Sequence, residues 1–211
     1  YSGGYGAKMS GDFFLTSGET IKILVGQQGE GTTSYYAGGG GGTFVVSEDN
    51  QPLIIAGGGG GATRYDNGDD GNTYECATGY YQGGCNGMGG ESSCYGGGGG
   101  GLIGDAYNAC SSNYHGKSFV NGGFGGYAFQ EGGFGGGGAG NDYYNSGGGG
   151  GYSGGGSTGS SSYGAGGGGS YNAGENQYNQ PGANSGHGTV IIQFQAQNEW
   201  LSIIPYEGTI Q

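Results

Sequence analysis

The sequence predicts an all-β chain in which short strands hold ordered glycine helices, with essentially no α-helix. Three observations carry the prediction. Short apolar segments bounded by turn residues, such as "TFVV" at 43–46 and "PLIIA" at 52–56, read as buried strands. Runs of four or more glycines abut them directly, at 38–42, 57–61, 96–101, 135–138, 147–151 and 166–169. Every window of helical length contains a glycine cluster, and each interior glycine costs a helix about 1 kcal/mol relative to alanine.

The strands follow in chain order. "DFFLTSGETIKILVGQQG" reads as strand, turn, strand: 13–15, a "TSGE" turn at 16–19, then 21–25. "TFVVSEDNQPLIIA" reads as a second hairpin turning on "SEDNQP". Residues 63–118 hold all four cysteines and an acidic "DNGDDG", which reads as a disulfide-stapled insertion. Glycine dominates 119–187. "HGTVIIQFQ" then gives a last strand within 188–196, with Val190, Ile192 and Phe194 on one face.

The glycine runs need their own account. Disorder requires neither runs of similar length nor strands against them. Collagen requires a Gly-X-Y register and proline, and the chain has 3 prolines beside 64 glycines. Polyglycine II fits: a left-handed helix of three residues per turn, rising about 3.1 Å per residue, with no internal hydrogen bonds. Glycine keeps its N–H and lacks a Cβ, so such helices can bond laterally in several directions. Ordering a glycine costs about 0.5–1 kcal/mol more than ordering alanine. A net hydrogen bond contributes about 1 kcal/mol. Ordered runs therefore require nearly complete pairing and anchored ends, and the abutting strands are the anchors.

Composition excludes several functions. The 211 residues carry a formal net charge of -12, with Lys8, Lys22, Arg64 and Lys117 as the cations. Such a chain repels phosphate backbones and anionic lipid, so nucleic acid is not an expected partner. No apolar run approaches the length of a membrane span. Cys76, Cys85, Cys94 and Cys110 lack CxxC spacing and read as two disulfides, with three pairings open. Disulfides place the chain outside the cytosol, extracellular or on a cell surface.

"IKILVGQQGE" at 21–30, followed by "AGGGGGTFVV" and "PLIIAGGGGG", resembles the glycine-rich extracellular domain of the anaplastic lymphoma kinase and leukocyte tyrosine kinase receptors. The resemblance resumes in "GKSF", "GGFGGGGAG", "SGGGGGYSGG" and "GHGTVIIQF", and covers roughly residues 1–196 in the same order. It implies a tumour-necrosis-factor-like β-sandwich with an inserted polyglycine II bundle. Similar domains occur in microbial surface proteins and phage adhesins. The kinase and membrane span of the receptors have no counterpart here, so their signalling does not carry over, and their cytokine-contacting residues find no match. The family's first strands, before "YSGGYGA", are also missing, whereas "YEGTIQ" at 206–211 resembles the opening of the missing first strand. Residues 197–211 are thus expected to pair with another subunit or with a tandem copy.

Asp66, Asp69, Asp70 and Glu75 offer hard oxygens suited to calcium, but without EF-hand spacing, and a solvated acidic loop accounts for them as well. "GGAGNDYYN" at 137–145 matches one calcium β-roll repeat, a motif that works in tandem. Glycine-rich phosphate motifs arise by chance at this composition, and "HGKS" lacks its upstream glycine. His115 and His187 stand in no HExxH motif, and GxSxG matches in so glycine-rich a chain carry no weight, so no enzyme and no cofactor are expected. Many of the 19 tyrosines sit beside glycine and can cover the bundle, stack on sugars or contact a neighbour. The expected function is an extracellular structural protein that polymerises head to tail through Trp200, Leu201, Ile203, Ile204, Tyr206 and Ile210. The alternative is an adhesin or receptor-type module recognising a protein or glycan.

Overall fold

The hairpin over residues 43–56 anchors the molecule. In the computed structural model, which describes residues 1–31, 36–141 and 144–194, β3 (Thr43–Ser47) pairs antiparallel with β4 (Pro52–Ala56). The turn between them closes through Asn50 N–H to the Ser47 carbonyl, with Asn50 at φ 62. Asparagine tolerates that left-handed conformation better than most residues. Alternation sends Phe44, Val46 and Ile55 inward, each at most 1% exposed. Leu102 completes the buried cluster, with Leu24, Phe119, Tyr152 and Tyr171 packed against it.

Two antiparallel sheets frame this core, consistent with a β-sandwich. The larger runs β2-β3-β4-β5, with β2 at Ile21–Leu24 and β5 at Tyr171–Asn172. The smaller pairs β1 (Gly6–Asp12) with β6 (Glu175–Asn184), and β1 lies against β4 and β5. Two single turns of 3-10 helix, at Ser112–Tyr114 and Phe119–Asn121, are the helical elements among the described residues.

Three strand expectations are corrected. Residues 13–15 are not a strand; the chain pairs one step earlier, at β1, and Phe14 is 83% exposed. Backbone pairing with the polar β6 outweighs local apolar content there. β2 therefore pairs with β3, with Ile21 opposite Ser47 and Leu24 opposite Phe44, rather than with 13–15. Residues 189–194 alternate like a strand but belong to no ladder, and Ile191 is 74% exposed. Alternation describes the faces of a segment; a strand also needs a partner for its backbone groups.

The glycine runs form the interior, and their hydrogen bonds repeat every third residue. Residues 147–151 sit at the centre. Gly147 and Gly150 donate to Ala37 and Gly40; Gly148 and Gly151 donate to Gly97 and Gly100; Gly149 and Tyr152 donate to Gly166 and Gly169. The run accepts from Gly61 and Gly58, from Gly138, and from Gly155. One helix thus touches six neighbouring segments, three through its donors and three through its acceptors. A three-residue period with lateral bonds only is the pattern of polyglycine II. The same period recurs in 37–42, whose N–H groups alternate among Ala62 and Gly59, Glu30 and Gln27, and Gly138 and Gly135.

Glycine is required here for close approach rather than for unusual φ. Among the six runs only Gly135 and Gly136 have positive φ. A Cβ placed on Gly149 would meet the Gly58 carbonyl, and one on Gly59 the Gly4 carbonyl, both well inside 3.0 Å. Residues 63–118 are woven into the same lattice: Gly60 donates to Asp69, Gly84 to Gly154 and Gly90 to Gly99. Buried hydroxyls close the runs, with Ser170 accepting from Gly57, Ser92 from Gly98 and Thr158 from Ser146.

Replacing Gly149 by Ala or Gly59 by Val is expected to destabilise the fold by about 3 kcal/mol or more, because backbone rather than a movable side chain fills the space. Gly31→Ala, where nothing lies within 4 Å of the new carbon, should stay within about 0.5 kcal/mol. Urea denaturation, with amide exchange to locate the loss, checks both.

Candidate functional site

Two surface features stand out on this scaffold: a groove walled by tyrosines and the open edge of the larger sheet. The groove is open to solvent, has a volume of about 530 Å³ and is lined by Tyr81, Ser93, Cys94, Tyr95, Tyr144, Asn145 and residues 159–161. Its floor is polar and buried. Ser93 N–H donates to the Ser157 hydroxyl at 2.6 Å, and the Ser93 hydroxyl lies 3.1 Å from Asn145 Oδ1. The Cys94–Cys110 disulfide ties one wall, and Thr63 Oγ1 donates to the Ser161 carbonyl behind another. Tyr80 and Tyr163 stack at the rim with centroids 5.1 Å apart, while Tyr80 and Tyr81 meet edge to face.

At the open edge, β2 ends the four-stranded sheet and leaves Ile23 and Val25 exposed. Residues 187–188 run alongside: Gly188 N–H donates to the Gly26 carbonyl, and Gln28 N–H donates to His187 Nδ1. Phe14 and Leu15, leading into β2, are exposed as well. An edge strand with apolar side chains is a template for another strand.

The sequence-predicted residues are distributed as follows. The cysteines pair as Cys76–Cys85 and Cys94–Cys110, one of the three open alternatives. The acidic candidates do not converge, and no group of three or more metal-binding side chains occurs among the described residues. Asp66 accepts from Asn67 N–H within its own loop, and Asp70 accepts from Tyr5 N–H, tying this loop to the residue before β1. Trp200, Leu201, Ile203, Ile204, Tyr206 and Ile210 lie outside the described residues. The tyrosines divide: Tyr152 and Tyr171 meet at 4.9 Å against the Phe44 cluster, whereas others such as Tyr74 and Tyr127 stand exposed. Among the described residues no helix is long and apolar enough to cross a membrane.

The histidines are acceptors. His115 Nε2 accepts from Ala109 N–H at 3.1 Å, which requires a neutral ring nitrogen. Burial pushes its pKa down, Lys117 adds to this, and Asp105 opposes it. Sequence reasoning missed Asp105, whose only signal is its position within a glycine-rich stretch. It accepts from Ser118 N–H, Asn121 Nδ2 and Lys117 Nζ, at 2.8 to 3.1 Å. Burial opposes ionisation, but these donors outweigh it and bring its pKa down to about 2.

Comparison with family models finds no match, and comparison with curated proteins finds none. The class that fold and surface define is a disulfide-stapled all-β protein built around a backbone lattice.

The pH response follows from these two groups. His115 has a depressed pKa, so its contribution is complete above its ordinary value of 6.5 and declines as the pH falls below it. Asp105 contributes above its ordinary value of 3.8 and loses that contribution as the pH falls toward 2. Urea midpoints at pH 7, 5 and 3 should fall stepwise, and His115→Asn should flatten the first step. Replacing Cys94 and Cys110 by Ser should cost about 2–4 kcal/mol and raise amide exchange in 93–110 more than in β3 and β4.

Proposed function

We propose that the chain is a non-catalytic extracellular structural protein that assembles head to tail, residues 199–211 of one subunit adding to the sheet of the next. The observation that carries this reading is the open β2 edge with Ile23 and Val25 exposed beside it. Main-chain hydrogen bonds would supply length, and Trp200, Leu201, Ile203, Ile204 and Ile210 would supply apolar anchors, as in donor-strand complementation. Thirteen extended residues reach about 43 Å, ample for a four-residue edge. A contact between two different faces does not close on itself, so it yields a filament rather than a dimer. The resemblance to the receptor glycine-rich domains supports the same reading, since "YEGTIQ" at 206–211 resembles the opening of that family's first strand. Two disulfides suit an extracellular setting.

Electron microscopy and light scattering of the 211-residue chain should show filaments. Removal of 199–211 should leave monomers, and a synthetic peptide of that sequence should bind the shortened chain saturably. Filaments that persist after the deletion refute the mechanism.

A further inference from the structure

The tyrosine-walled groove is independent of the proposed assembly, and its construction is specific. Among the described residues that line it, none carries a charge, in a chain whose net charge is -12. Its volume of about 530 Å³ lies in the range of small-molecule sites, about 300–1,000 Å³. The floor offers hydroxyl and amide groups, from Ser93, Asn145, Ser160 and Ser161, and the walls offer phenol rings.

Tyr144 is the telling residue. Its backbone sits at φ 74, the left-handed region that bulky side chains avoid. That conformation holds its ring at the groove with 58% of the residue exposed, edge-on to Tyr36 at 5.7 Å. Strained non-glycine backbone of this kind collects at binding and active sites. The next residue, Asn145, is buried and lies on the groove floor against Ser93. The strained position thus joins a fixed polar floor to an outward ring. Across the groove, Tyr81 packs over Gly159, where a Cβ would strike its ring.

We propose that this groove binds a neutral oligosaccharide, its pyranose faces lying on Tyr81, Tyr95 and Tyr144 and its hydroxyls meeting Ser160, Ser161 and the Asn145–Ser93 floor. Pyranose rings carry C–H faces that pack on aromatic rings and edges of hydroxyls that serve as donors and acceptors. Among the described lining residues an anionic ligand finds no cation, and a cationic ligand finds no carboxylate. A purely apolar ligand would leave the hydroxyl rim unpaired.

The test is titration calorimetry of the 211-residue chain with neutral hexasaccharides of β-glucan, mannan, galactan and chitin, and with a sulfated hexasaccharide. At least one neutral sugar should bind saturably, and the sulfated one at least tenfold more weakly. Tyr144→Gly removes the ring while relieving the backbone, so the variant should keep its melting temperature within a few degrees and lose at least tenfold in affinity. Tyr65→Ala, an exposed tyrosine elsewhere, should bind as the unaltered chain does. No saturable binding to any neutral sugar overturns the proposal. So does equal affinity for the sulfated sugar, or a folded Tyr144→Gly variant that binds unchanged.

Discussion

The structure depends on one constraint: backbone must approach backbone in six directions at once. An α-helix spends its N–H and C=O groups on itself, and a strand spends them in one plane. The segment 147–151 spends them on all sides, on 37–40, 97–100, 166–169, 58–61, 138 and 155. That geometry leaves no volume for side chains, so glycine is imposed by packing. Short hydroxyl side chains accept from backbone N–H groups at the ends of the runs, Ser170 from Gly57 and Thr158 from Ser146. A buried unpaired peptide group would cost more than any single one of these bonds contributes.

Side chains then have two separate duties. A small apolar cluster around Phe44, Val46, Ile55 and Leu102 fixes the register of the hairpin from which two central runs depart. Tyrosines cover the lattice outside, where a bare peptide surface would otherwise face water. Where their rings stand away from the lattice, as at Tyr144, they become contact surface. Covering and binding are thus the same residue type at different distances from the backbone.

Much of this was legible in the chain. The β3–β4 hairpin was visible because its alternation and its "SEDNQP" turn agree with each other. The runs were visible because their lengths and strand neighbours have no use in a linker. β1 and β6 were not, because Gly6–Asp12 and the Asn- and Gln-rich Glu175–Asn184 pair through backbone with mostly outward side chains. Apart from Ala7, Met9 and Tyr178, little apolar marks them. Residues 189–194 erred the other way, with alternation but no ladder. The groove assembles from 81, 93–95, 144–145 and 159–161, segments far apart in sequence, and the φ of Tyr144 leaves no trace in composition. The isolated glycines of 63–118 joined the lattice unannounced, since a single glycine in a loop looks the same whether or not a neighbour passes against it.

A lattice made of peptide groups also has a thermal signature. Heat capacity rises when unfolding exposes apolar surface and falls when it exposes polar surface. Here the unfolding chain uncovers chiefly amides from the runs and few large hydrocarbons beyond the Phe44 cluster. The heat-capacity increment per residue is therefore smaller than for a hydrophobic globule, and the free-energy curve is correspondingly flat. Enthalpy and entropy change little with temperature, and the driving force does not fade on cooling as an oil-like core's does. The stability of such a molecule varies little from cold to warm, a property that belongs to its backbone rather than to its side chains.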